Sequence, residues 1–109
     1  MITIETLCIR LQRVSRTELE GWIERAWVRP EGVPGHYLFH PIDEARAHLI
    51  LELRDEMHIN DEALPLVLSL LDQVYAARRH MRRVRDAIEA HTDAAVADEL
   101  RRVLRDEVR

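Results

Sequence analysis

The sequence is poor in several residue types, and each shortage argues against a class of protein. The single cysteine, Cys8, cannot form an internal disulfide, which is typical of a cytoplasmic protein. No apolar run approaches the ~18 residues that a membrane span needs, and the first residues lack the basic and apolar segments of a signal peptide. With only three glycines, the chain has no glycine-rich loop for binding phosphate.

Positive charge is also scarce. Sixteen arginines stand against 20 acidic residues, for a net charge of -4, whereas proteins that bind nucleic acid through its phosphates ordinarily carry a basic surplus. The composition, 47% hydrophobic and 33% charged, is typical of a folded, helix-rich protein rather than a disordered one. In 109 residues it predicts one domain with a modest core, or a smaller domain with a helical extension.

The first 40 residues read as helix, turn, helix and hairpin. A short first helix buries the apolar residues at helical spacing, Ile4, Leu7, Cys8 and Leu11. Residues 15–18 form a capping box that opens a second helix with an inner face of Leu19, Trp22, Ile23 and Ala26. Pro30 ends that helix near Trp27, and a turn rich in proline and glycine joins short extended pieces at Val28 and residues 37–39. This order predicts a mainly α fold with a winged helix-turn-helix head and a small β-hairpin wing.

Long helices follow the hairpin. A third helix starts after Pro41, and its inner face comprises Ile42, Leu49, Ile50, Leu53 and Met57. Asn60 is placed to cap a fourth helix. Residues 91–93 form a break before a final amphipathic helix on Val96, Leu100, Val103 and Leu104. We assign residues 1–76 to the head and residues 77–109 to a C-terminal helical extension.

The fourth helix is apolar on two sides. Leu66 and Leu70 form a second apolar side beside the main one. A protein this small cannot cover both sides alone, so the pattern predicts that a second chain covers one of them. We therefore expect a homodimer whose interface comprises Leu64, Val67, Leu68, Leu71 and Val74.

Acidic residues concentrate in the third helix and the loop after it. Residues 43–62 contain seven acids and two arginines, a net charge of -5. At about 100° per residue, one stripe of this helix collects Glu44, His48, Glu52 and Asp55. The stripe is either a solvated helix face or a docking surface for a basic partner.

Other clusters point less clearly to chemistry. Five arginines lie between Arg78 and Arg85, but no aromatic residues interleave them for base stacking, which favours a solvated helix exterior over a nucleic-acid site. His36 and His40 fall on extended chain rather than on one helix face, which argues against a metal site. Cys8 lies on an apolar face and is interpreted as a packing residue. No nucleophile and base pair stands out, so we expect a protein that is not an enzyme and that needs no metal or cofactor.

Two sequence runs resemble a known family. The spacing of Leu7-Cys8, Ser15, Leu19, Trp22-Ile23 and Val28-x-Pro30 resembles the DNA-binding head of the MerR superfamily. The run LRDEMHINDEALPLVLSLLDQV, residues 53–74, is similar to the CbpM family of chaperone modulators, a MerR-like branch. The positions that carry this likeness are Leu53-Arg54, Glu56-Met57, Ile59-Asn60 and Leu66 through Asp72. The resemblance covers about residues 2–76.

The resemblance implies a function. Members of this family bind the J-domain of a DnaJ-like co-chaperone, CbpA, and block its work with Hsp70. In the DNA-binding relatives an arginine follows the leucine of the second helix, whereas here Glu20 follows Leu19, and a glutamate repels phosphate. A J-domain presents a helix rich in Lys and Arg, so the resemblance makes the acidic stripe the expected contact. The alternative is a MerR-type transcription regulator that contacts the DNA backbone through Arg78 to Arg85.

Overall fold

A computed structural model of the chain describes residues 1–91 and 93–108. Over these residues it is mainly helical, with one small antiparallel sheet, as the sequence predicts. The elements are α1 (Ile4–Leu11), α2 (Arg16–Glu24), β1 (Glu31–Val33), β2 (His36–Leu38), α3 (Pro41–Leu51), a π-helical segment (Glu52–Glu56), α4 (Leu64–His91) and α5 (Ala94–Val108). Thr92, within the predicted break, and Arg109 lie outside the described residues.

The chain divides into two compact units, Met1–Leu68 and Ser69–Arg109. The division falls inside α4, ahead of the predicted boundary at residue 76. In the parts of the chain that the structure describes, no helix combines the length and apolar character needed to cross a membrane.

The core of the first unit joins α1, α2, α3 and the start of α4. Its most fully buried side chains are Phe39, Leu7, Leu19, Ile50, Leu51, Leu64, Leu68 and Val28. The capping box is present, since Ser15 Oγ accepts from the Glu18 amide at 3.1 Å and Glu18 Oε1 accepts from the Ser15 amide. The predicted core position of Trp22 is confirmed, and Trp27 is buried as well.

The second helix ends earlier than predicted. It stops at Glu24, and Ala26 adopts a left-handed φ of 60° with an exposed side chain, so its predicted inward position is wrong. The Trp27 amide donates to the Trp22 carbonyl, five residues earlier, at 2.9 Å. This turn is wider than a turn of α-helix, and Trp27 is buried after it. The prediction of an extended piece at Val28 is also wrong, because β1 begins at Glu31.

Two residues assigned to the inner face of the third helix are exposed instead. Ile42 lies in the first turn of α3, where Asp43 is the buried residue because its carboxylate accepts from the His40 amide at 2.8 Å. Met57 follows the π-helical segment, whose wider turn shifts it off the face that an α-helix of constant pitch would give it. Their predicted burial is therefore wrong.

The second unit contains most of α4 together with α5. Asp93 caps α5, since its Oδ1 accepts from the Val96 amide at 3.0 Å. Ala97 is buried, whereas Leu100 and Leu104 are half-buried. Val96 and Val103 are exposed, which corrects their place in the predicted inner face. The inner face of α5 is therefore displaced from the predicted one. It runs through Ala97 and includes Arg101, which forms an ion pair with Glu89 of α4.

Candidate partner-binding surface

The acidic stripe lies on α3 and on the π-helical segment that continues it. The Met57 amide donates to the Glu52 carbonyl at 3.1 Å, five residues back, which is the hydrogen-bond spacing of a π-helix. Short π-helical turns are frequent at functional sites. The predicted stripe therefore runs from an α-helix into a turn of different pitch.

Arg54 holds the π-helical segment against α2. Its guanidinium donates to Glu18 Oε2 at 2.7 Å, to Asp55 Oδ1 at 2.8 Å and to the Arg13 carbonyl at 3.1 Å. It also lies 5.9 Å from the centre of the Trp22 ring. The hydrogen bond to Asp55 raises the pKa of Arg54 and lowers that of Asp55.

The structure divides the predicted stripe into two pairs. Glu44 accepts two hydrogen bonds from Arg10, at 3.0 and 3.1 Å, and is half-buried. Asp55 pairs with Arg54 and lies 3.7 Å from Arg13, and it is also half-buried. Both carboxylates therefore tie α3 and its extension to neighbouring segments. Asp55 is therefore not free to meet a partner as the predicted stripe requires, because it is half-buried and paired with arginines of the same chain.

His48 and Glu52 remain exposed, and Glu56 joins them. Within the described part of the chain, no cation forms a salt bridge with Glu52 or Glu56. We call His48, Glu52 and Glu56 the acidic patch. The prediction missed Glu56, although this residue continues the row of Glu44, His48 and Glu52 at intervals of four residues. That spacing was the available signal.

The arginines beside the exposed face of α2 are engaged by acids. Arg16 pairs with Glu5 at 2.7 Å and with Glu20 at 2.9 Å. Arg25, which caps the helix, lies 3.8 Å from Asp61 and 5.0 Å from the centre of the Trp27 ring. A cation that already faces a carboxylate gains less from a phosphate, so this face is poorly suited to DNA.

The predicted dimer interface on α4 is only partly exposed. Leu64 and Leu68 are buried inside the first unit, so they offer no surface to a second chain and their assignment is corrected. Val67 and Leu71 are half-buried, and Val74 is 44% exposed. Leu70 is 52% exposed and lies on the same helix face as Val74, four residues further along.

Cys8 and the histidines were the remaining candidates for chemistry. Cys8 is half-buried, and burial together with the Glu5 carboxylate raises the pKa of its thiol, which lowers the fraction present as the reactive thiolate. His40 caps α3, with Nε2 lying 3.0 Å from Glu31, whereas His36 lies in β2. Over the described residues, no group of three or more His, Cys, Asp or Glu is placed to hold a metal ion.

The comparisons with known proteins found no counterpart. The chain matches no family model, no curated protein and no solved structure.

Proposed function

We propose that the protein is a cytoplasmic chaperone modulator with a MerR-like winged helix-turn-helix head. It binds the J-domain of a DnaJ-like co-chaperone of the CbpA type and inhibits it by covering the helix that engages Hsp70. The proposal starts from the likeness of residues 53–74 to the CbpM family. Its physical support comes from the charge and exposure of the first unit.

The acidic patch is the observation that supports this function most directly. Glu52 and Glu56 are exposed carboxylates without a salt-bridge partner among the described residues. The Met1–Leu68 unit around them contains 7 arginines and 12 acids, a net charge of -5. A J-domain helix rich in Lys and Arg is complementary to such a surface, and this complementarity accelerates encounter and fixes register.

Binding kinetics with a purified CbpA-type J-domain test the proposal. Glu52→Lys combined with Glu56→Lys is expected to slow association by about tenfold. Raising salt to physiological strength is expected to slow wild-type association more than it accelerates dissociation, because exposed charges are screened beyond ~8–10 Å.

The matched control carries the same change in charge on α5. Glu99→Lys combined with Asp106→Lys alters exposed acids of the second unit and is expected to leave association nearly unchanged. If both double variants bind like the wild type, the acidic patch is only a solvated surface. The exposed acids of α2, such as Glu20 and Glu24, then become the next contact to test.

A MerR-type DNA-binding regulator is the second candidate function. The observation in its favour is the run from Arg78 to Arg85, in which five arginines occur without an acid. A gel shift on random duplex DNA at several salt concentrations distinguishes the two. Tight binding with a steep salt slope favours the regulator, since the slope counts the phosphates that are neutralised. Because Arg16 and Arg25 are already paired with acids, we expect weak binding.

A further inference from the structure

The second unit contains a cleft between α4 and α5. Its volume is about 360 Å³, within the range of small-molecule sites. Five arginines and two apolar residues line it: Arg78, Met81, Arg82, Arg85, Arg101, Leu104 and Arg105. Such a concentration of one charge is not a consequence of composition, because the chain as a whole is acidic.

The arginines of the cleft differ in how far acids neutralise them. Arg101 pairs with Glu89 and Asp98, and Arg85 lies 3.6 Å from Asp86. The other three, Arg78, Arg82 and Arg105, form no salt bridge with any described side chain. All three are exposed. The cleft therefore presents three guanidinium groups, contributed by both helices, that no described carboxylate neutralises.

The lining favours a particular class of anion. Guanidinium groups bind phosphate through paired N–H donors, and several of them suit a chain of linked phosphates. The half-buried side chains of Met81 and Leu104 add an apolar surface. A planar base can lie on such a surface, and arginine planes stack on aromatic rings. We propose that this cleft binds a nucleoside diphosphate or triphosphate, with its phosphates on Arg78, Arg82 and Arg105.

A small ligand explains the arrangement better than a nucleic-acid strand does. The cleft is concave and combines arginines from two helices, whereas a duplex needs an extended row of cations on an outer face. Arg79 and Arg83 are exposed on α4 but do not line the cleft. These two arginines offer a test of position at constant charge.

Calorimetric titration of the full chain with ADP, pyrophosphate and adenosine tests the site. We expect ADP to bind more tightly than pyrophosphate, and adenosine not to bind measurably. Arg82→Gln combined with Arg105→Gln is expected to weaken ADP binding by at least about tenfold, because two charge-assisted contacts are lost. Arg79→Gln combined with Arg83→Gln removes the same charge outside the cleft, and less than a threefold change is expected. Circular dichroism of both variants reports whether the helices are intact.

Three results would overturn the proposal. Equal losses in the two double variants mean that ADP is attracted only by diffuse positive charge. Pyrophosphate binding as tightly as ADP shows that no base is held in the cleft. The third result is that random duplex DNA competes with ADP and that both double variants weaken DNA binding equally. It would assign the arginines to nucleic acid. The titration contains no J-domain, so a failure to bind ADP would not count against the proposed chaperone function. In the same way, a failure to bind the J-domain would not count against the nucleotide site.

Discussion

One guanidinium, that of Arg54, connects several parts of the first unit. It bonds to Glu18 of α2, to Asp55 beside it and to the carbonyl of Arg13. Arg54→Met keeps much of the apolar length of the side chain but removes these bonds. We expect the free energy of unfolding to fall by about 1–3 kcal/mol, the range for hydrogen bonds to charged groups.

Urea denaturation measures this change against a suitable control. Arg102→Met removes an arginine that pairs with Glu99 within α5, where both side chains are about two-thirds exposed. Exposed pairs of this kind contribute little, so its effect is expected to stay below about 0.5 kcal/mol. Equal effects of the two substitutions would show that the contacts of Arg54 add nothing to stability.

Asp55 gives the same cluster a dependence on pH. The hydrogen bond from Arg54 lowers the pKa of this carboxyl in the folded state. A lowered pKa stabilises the fold above the unfolded value, about 4 for aspartate, and this contribution is lost as pH falls through the folded pKa. Below about pH 4, Asp55→Asn is therefore expected to lose less stability than the wild type as the pH falls. The check is urea unfolding at a series of pH values, with exposed Asp106→Asn as the control. Identical acid profiles for wild type and Asp55→Asn contradict the assignment.

At the scale of elements, the hairpin of β1 and β2 is most sensitive to substitution at one glycine. Gly32 has a φ of 101°, and a Cβ there would overlap the carbonyl oxygen of His36 across the strand pair. Gly35 has a φ of 89°, but a Cβ there meets nothing. Both Gly→Ala substitutions incur backbone strain, of the order of 1–2 kcal/mol, and only Gly32→Ala adds a steric clash. Thermal unfolding should show Gly32→Ala melting below Gly35→Ala, and the reverse order would contradict this account of the hairpin.

Elements governed by local rules could be predicted from the sequence. The capping box of Ser15 and the start of α5 at Ala94 depend on nearby side chains, and both appear where they are predicted. The burial of Trp22 follows from helical spacing in the same way. Fold class is therefore accessible from local patterns.

The candidate site was harder to predict, because it depends on a change of helical pitch and on contacts between distant residues. The π-helical turn at Glu52–Glu56 leaves no mark in apolar spacing, yet the paired Arg54 and Asp55 both lie in it. The pairing of Glu44 with Arg10 joins residues 34 positions apart, which a helical wheel cannot show. The missed exposure of Ile42 has a local cause instead, because Asp43 takes the buried position and accepts from the His40 amide three residues earlier.

Considered as a whole, the molecule separates its charges between its two units. The first has a net charge of -5, from 7 arginines and 12 acids, whereas the second has 9 arginines and 8 acids. Two surfaces of opposite character can therefore act on different ligands. The proposed J-domain contact lies in the first unit and the proposed nucleotide cleft in the second, so substitutions in one unit leave the other site unchanged in sequence.

The apolar surface of the second unit predicts self-association. Leu70, Val74 and Tyr75 lie within two turns of α4 and are 52, 44 and 43% exposed, and such a cluster of exposed apolar side chains can mark an interface. We propose that a second copy of the chain covers it. Light scattering at micromolar concentration should then return about twice the chain mass of 12.8 kDa.

The substitutions that test the dimer follow from burial. Leu70→Glu combined with Val74→Glu is expected to yield a folded monomer, because both side chains are exposed within one chain but a charge buried at an interface costs several kcal/mol. Leu68→Glu changes the neighbouring buried leucine and is expected instead to unfold the first unit, which circular dichroism detects. A wild-type protein with the mass of one chain would rule out the dimer. A double variant that remained dimeric would place the interface elsewhere, with the exposed Val96 and Val103 of α5 as the next surface to examine.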